Sequence, residues 1–187
     1  GESVLSGRVL AYILTGIGIV SLFLILREYS KKTVWIFLSL GIFISWGAFH
    51  INFIWPTMVA ISFTLLACLF YTKSIRDVRL MIGVGICSMM VVLSKQNLGV
   101  AILSAFFISI IAERWTIVRV PRSRLIFYLV GVLALTVSFV TYLVIQGSFS
   151  DFLQNNYLNL VQKIIVEGTI ATPFLYGTGF YSYGKLL

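Results

Sequence analysis

The sequence predicts an all-α fold: a polytopic membrane helical bundle of about six transmembrane helices plus an outer interfacial helix. Three observations carry this. Hydrophobic residues make up 59% of the 187 and charged residues 11%, against about 45–50% and about 25% in an average soluble domain. Mean hydropathy is +1.02, more apolar surface than one small globule encloses. Apolar runs of about 18–20 residues, the length a bilayer core demands of a spanning helix, recur along the chain. These features exclude a soluble monomer, intrinsic disorder and a disulfide-stapled secreted domain. Membrane strands would alternate polar and apolar over about ten residues. These runs are apolar all round and longer.

The first span covers about 9–26 and is followed by the basic connector Arg27, Glu28, Lys31 and Lys32. The second covers about 33–49 and ends in His50-Ile51-Asn52. Pro56 opens the third, about 56–72, because proline in a first turn forfeits no internal hydrogen bond. Lys73 to Arg79 connects it to the fourth, about 80–94. Lys95-Gln96-Asn97 separates that run from the fifth, about 98–112. A connector bearing Glu113, Arg114, Arg119, Arg122 and Arg124 around Pro121 leads to the sixth, about 125–146. Val and Ile are frequent here, but lipid obliges every backbone group to be satisfied internally and so enforces helix.

Residues 1–147 are thus read as the transmembrane bundle and 148–187 as an outer segment. In the outer segment, 151–166 is amphipathic, with Leu153, Tyr157, Leu160 and Ile164 on one face and Asn155, Asn159 and Gln162 on others. This pattern suits a helix lying in the interface, with Ser150 as N-cap. Residues 168–184 are rich in Gly and aromatics. They read as a loop that either anchors at the interface or lines a groove. The chain opens on Gly1, a few residues before a span, and is read as a piece of a longer protein.

The net charge is +8. In a soluble protein that would point to nucleic acid. Here ten of the 14 Lys and Arg residues fall in alternate connectors, after the first, third and fifth runs. Such an excess marks the cytoplasmic side. Both ends of the chain are then expected outside the cytoplasm, in the plasma (inner) membrane of a bacterium. The partners expected are membrane lipid and no nucleic acid. Cys68 and Cys87 lie within apolar runs and read as packing thiols rather than a disulfide. Gly16, Gly18, Gly83 and Gly85 read as small residues at helix contacts.

No phosphate-binding glycine loop, zinc-protease motif or Cys/His cluster is present in the sequence. It identifies no cofactor and leaves a divalent metal open. The fourth and fifth runs, about 15 residues each, would span only about 22 Å. A hydrocarbon core is about 30 Å thick, so Lys95-Gln96-Asn97 is expected below the outer surface. Lys95 either snorkels to the headgroups or faces a site inside the membrane. His50 is either a structural residue at a helix end or part of the same outer face. Arg8, His50, Asn52, Lys95, Gln96 and Asn97 form the candidate binding set, since cations and amides together hold phosphate. No carboxylate lies within the six runs, which disfavours a proton-driven carrier.

Three motifs resemble the C-superfamily of integral-membrane glycosyltransferases, which use polyprenyl-phosphate sugars; the mannosyl- and arabinosyl-type bacterial members are the most similar. Gly1-Glu2-Ser3-Val4-Leu5-Ser6-Gly7-Arg8 is similar to the family's Gly-x-Ser-x-x-x-x-Arg entry to an early helix. His50-Ile51-Asn52-Phe53-Ile54-Trp55-Pro56 stands at an outer turn. Ser94-Lys95-Gln96-Asn97-Leu98-Gly99 is similar to the family's Leu-x-Lys-Gln-x-x-Gly between two short helices. Their joint order over about 1–115 carries the likeness.

The resemblance implies a helical bundle with an outer groove and a polyprenyl-phosphate sugar donor as partner. Lys95 and Arg8 would hold the lipid phosphate, and His50 would line the groove. It further implies that the first helix and first outer loop, with the catalytic acid, lie upstream of Gly1; Glu2 does not replace that acid. The catalytic residue is therefore unknown. The alternative from another class is a transporter, flippase or polysaccharide-export subunit without transferase activity.

Overall fold

The computed structural model describes residues 2–46, 56–116 and 121–154. They are all-helical, with no strand among them. The helices are α1 (Glu2–Tyr29), α2 (Thr33–Trp46), α3 (Pro56–Lys73), α4 (Leu80–Ser94), α5 (Gln96–Thr116), α6 (Ser123–Ile145) and the short α7 (Phe149–Leu153). Four of them, α1, α3, α5 and α6, contain stretches long and apolar enough to cross a membrane, and α2 and α4 are shorter apolar helices. Only 11–28% of each long apolar window is buried within the chain. The rest presents large apolar side chains outward, among them Val20, Ile61, Ile108 and Leu133. That is far beyond what a soluble surface carries. The chain is an integral membrane protein.

The fifth helix departs from the expectation of a short element. α5 has 21 residues, about 32 Å at the usual rise. Its backbone ladder runs through Gln96 and Asn97 at one end and Glu113 and Arg114 at the other. Hydropathy marks only the apolar middle of a helix, whereas the hydrogen bonds continue through polar residues. α4 is the short one, with 15 residues.

The chain divides into two compact units, Gly1–Leu135 and Thr136–Leu187. In the first, α1 and α3 run parallel: Thr15 Oγ1 lies 4.0 Å from Met58 Sδ, and a Cβ on Gly18 would lie 3.2 Å from Ser62 Oγ. The core gathers Ala67 from α3, Met81, Val84 and Cys87 from α4, Ile110 from α5 and Tyr128 from α6. Tyr128 donates its hydroxyl to the Leu103 carbonyl at 2.8 Å, so this aromatic satisfies its polar tip inside the apolar core.

Two glycines set the α4–α6 spacing. A Cβ on Gly85 would stand 2.2 Å from the Tyr128 carbonyl oxygen, and one on Gly131 the same 2.2 Å from that of Ile82. Gly83 makes room for the Phe70 ring. Gly16, by contrast, meets nothing within 4 Å. Among the described residues, no helix packs on that face of α1. Cys68 and Cys87 are both free thiols.

In the second unit, α6 ends in a Schellman motif. Ser148 N–H donates to Leu143 O and Gly147 N–H to Val144 O, each at 3.0 Å. Gly147 takes φ 67°, which a side chain would oppose. α7 then starts at Phe149 with Ser148, not Ser150, at the capping position, and no side-chain bond is made. The glycine turn sets the start of α7, two residues earlier than the Ser-Asp pattern indicates. The Phe139 and Phe152 rings meet edge-on at 5.5 Å. The remainder of the expected amphipathic helix and the aromatic loop, 155–187, lies outside the described residues.

Candidate functional site

The connectors expected on one side come together. Arg76, between α3 and α4, pairs with Glu28 near the end of α1 at 2.7 Å. Arg124, in the first turn of α6, reaches Glu113 of α5 and, at 2.7 Å, Ser74 Oγ after α3. The structure therefore has a basic end and an opposite end, where α4 turns into α5.

At the opposite end, Lys95 alone joins α4 to α5. It is extended, φ −150° and ψ 94°. Its N–H closes the last turn of α4 onto Val91 O, and its carbonyl accepts the Gly99 N–H of α5, both at 2.8 Å. A Cβ on Gly99 would lie 2.2 Å from the Val92 Cα, so only glycine lets α5 fold back this closely on α4. The Lys-Gln-x-x-Gly step is thus a hairpin device. It fixes where the lysine stands.

The Lys95 side chain is half-buried. Its Nζ donates to Thr57 Oγ1, in the first turn of α3, at 3.2 Å. No carboxylate pairs with it among the described residues. An ammonium has three donors, and a neutral hydroxyl leaves its charge uncompensated. Gln96 and Asn97 follow in the exposed first turn of α5, at the positive end of that helix dipole.

Arg8 is exposed. Parallel packing sets Thr57 of α3 level with about Leu14 of α1, so Arg8 stands about 9 Å farther out along the axis. No hydrogen bond or ion pair joins it to Lys95. The structure brings Lys95, Gln96 and Asn97 together and sets Arg8 apart. His50 and Asn52 lie outside the described residues.

Sequence reasoning placed Arg124 among solvated connector charges and missed its true surroundings. It is 4% exposed. Nη1 is bonded to Glu113, Nη2 to Ser74, and the guanidinium carbon stands 5.1 Å from the Tyr71 ring centroid. Tyr71 donates to the other Glu113 oxygen at 2.7 Å, and Ser74 donates to Tyr71 O at 2.6 Å. The guanidinium Nε is left without a partner. The end of α3, α5 and α6 are stitched by one buried cation and its counter-ion, a structural lock rather than an open site. The available signal was Glu113 itself, one of only six acids in the chain, directly abutting an apolar run.

The two polar layers bear on membrane depth. From Thr57 to Tyr71, α3 rises about 21 Å. A hydrocarbon slab of about 30 Å overlaps at least one of them. The basic-end layer carries its own carboxylate; among the described residues no carboxylate pairs within the Lys95 layer. Among the described residues no three His, Cys, Asp or Glu side chains gather into a metal site. Family models, curated proteins and solved structures yield no match to this chain.

Proposed function

We propose that the chain belongs to a membrane glycosyltransferase that takes its sugar from a polyprenyl-phosphate donor, with Lys95 holding the donor phosphate at the opposite end of the bundle. The observation that carries this is the half-buried Lys95 ammonium, hydrogen-bonded to a hydroxyl and, among the described residues, paired with no carboxylate. A lysine in a spanning segment is costly, about 2.5–3.5 kcal/mol at a helix centre. A bound phosphate offsets that cost through charge-assisted hydrogen bonds. The similarity of the Lys95-Gln96-Asn97-Leu98-Gly99 step to the glycosyltransferase pattern supports a polyprenyl-phosphate as the anion.

In transfer, the lipid phosphate leaves as an anion. A cation already aimed at its oxygens stabilises the charge as it develops.

The test is sugar transfer by the natural full-length protein in membranes supplied with polyprenyl-phosphate sugar. Lys95→Met is expected to lower transfer at least about tenfold, the loss of one charge-assisted hydrogen bond, with the protein still folded. Lys95→Arg keeps part of the activity, because charge survives while geometry changes. Full activity in Lys95→Met would leave Lys95 a snorkelling residue and remove the site. Export of a lipid-linked sugar without transfer would favour the transporter reading.

The donor site is proposed on the extracytoplasmic side, following the basic connectors. Tyr29 and Ile75 are 76% and 77% exposed at the basic end. Cysteines introduced there, Tyr29→Cys and Ile75→Cys, should resist an impermeant thiol reagent in intact cells and react after permeabilisation. Gln96→Cys should react in intact cells. The reverse pattern would invert the orientation.

A further inference from the structure

At the basic end, a cavity of about 420 Å³ opens where α1 turns into α2. Its lining mixes the polar Arg27, Ser30 and Lys31 with the apolar Phe23, Ile36 and Phe37. The acids of this end are engaged elsewhere. Glu28 pairs with Arg76 at 2.7 Å, Glu113 with Arg124, and Asp77 accepts the Arg79 N–H at 3.0 Å. No carboxylate pairs with Arg27 or Lys31 among the described residues. The turn itself is fixed: Ser30 N–H donates to Leu26 O at 2.8 Å, and Ser30 Oγ accepts the Lys32 N–H at 3.3 Å.

We propose that this cavity binds the phosphate headgroup of an anionic glycerophospholipid. Arg27 and Lys31 supply the charge and the forked and single-point donors that phosphate accepts. Phe23, Ile36 and Phe37 supply an apolar wall for the glycerol and the first acyl methylenes. A soluble anion has no use for that wall, and a neutral lipid has no use for two unpaired cations. Basic pockets between spanning helices at the cytoplasmic face hold headgroups by this combination. The site stands at the other end of the bundle from Lys95, so it succeeds or fails independently of the proposed transfer function.

The protein is placed in phosphatidylcholine nanodiscs containing a minor fraction of phosphatidylglycerol. Retained lipid is then counted by native mass spectrometry after release from the disc. Phosphatidylglycerol should be retained in preference to phosphatidylcholine. Arg27→Gln or Lys31→Gln should weaken retention about fivefold, and the double variant about 25-fold, for cations each acting on an anionic headgroup. Arg79→Gln removes an exposed cation of the same end that neither lines the cavity nor pairs with Glu28, and should leave retention unchanged. Thermal stability in phosphatidylcholine alone verifies that the double variant is folded. Undiminished retention in a folded double variant would overturn the proposal, as would equal loss in Arg79→Gln. Displacement of the lipid by millimolar inorganic phosphate would assign the cavity to a soluble anion instead.

Discussion

Glu113→Ala should destabilise the bundle by about 3–5 kcal/mol, the range for stranding one partner of a buried ion pair. Arg124 is 4% exposed and loses its only carboxylate. Ser74 and the Tyr71 ring remain, but neither carries a negative charge. Tyr71 also loses the acceptor of its hydroxyl. The expected remedy is to remove the charge as well. Glu113→Leu combined with Arg124→Met should recover most of the loss, because apolar replacement of a buried pair is often neutral or stabilising. Reversible unfolding in mixed detergent micelles measures both. If Glu113→Ala costs less than about 1 kcal/mol, the value of an exposed pair, the lock is solvated and the account of the basic end is wrong.

Gly85→Val should cost about 3 kcal/mol or more, at or beyond the usual range for overpacking. The added Cβ meets the Tyr128 carbonyl at 2.2 Å and the Val132 nitrogen at 2.8 Å. Both are backbone atoms of α6, so no rotamer change relieves the contact. α6 must move off α4, and Tyr128 then leaves the core. Gly16→Val, on an open face of α1, should change stability by only about 0.5 kcal/mol. The same unfolding assay compares the two. Equal effects would show that α4 and α6 do not approach as described.

Six apolar runs and their connectors were enough to read an all-α membrane bundle, since length and hydropathy alone set what a bilayer accepts. Finer features depended on contacts that composition does not carry. The length of α5 was obscured because Gln96, Asn97, Glu113 and Arg114 are polar yet helical. Arg124 looked like one more connector cation, because its burial arises from three segments far apart in the chain. Gly16 and Gly85 look alike in sequence, and only the neighbour's backbone distinguishes them. At the candidate site, the position of Lys95 between two runs was legible. Its bond to Thr57, 38 residues away, and the hairpin role of Gly99 were not. Arg8 seemed close because it shares an end with Lys95. The parallel packing of α1 on α3 sets it farther out.

Photolabelling reads the proposed contact between Lys95 and a lipid-linked phosphate. A short-chain polyprenyl phosphate with a photoreactive group beside the phosphate is irradiated in membranes containing the full-length protein, and labelled peptides are mapped by mass spectrometry. Label is expected on the α4–α5 hairpin around Lys95 and on the first turn of α3 around Thr57. Excess unlabelled polyprenyl phosphate should compete it away, and Lys95→Met should reduce it at least about tenfold, one charge-assisted hydrogen bond of about 1.5–3 kcal/mol. Label confined to other parts of the protein, or undiminished label at the hairpin in a folded Lys95→Met variant, would contradict it.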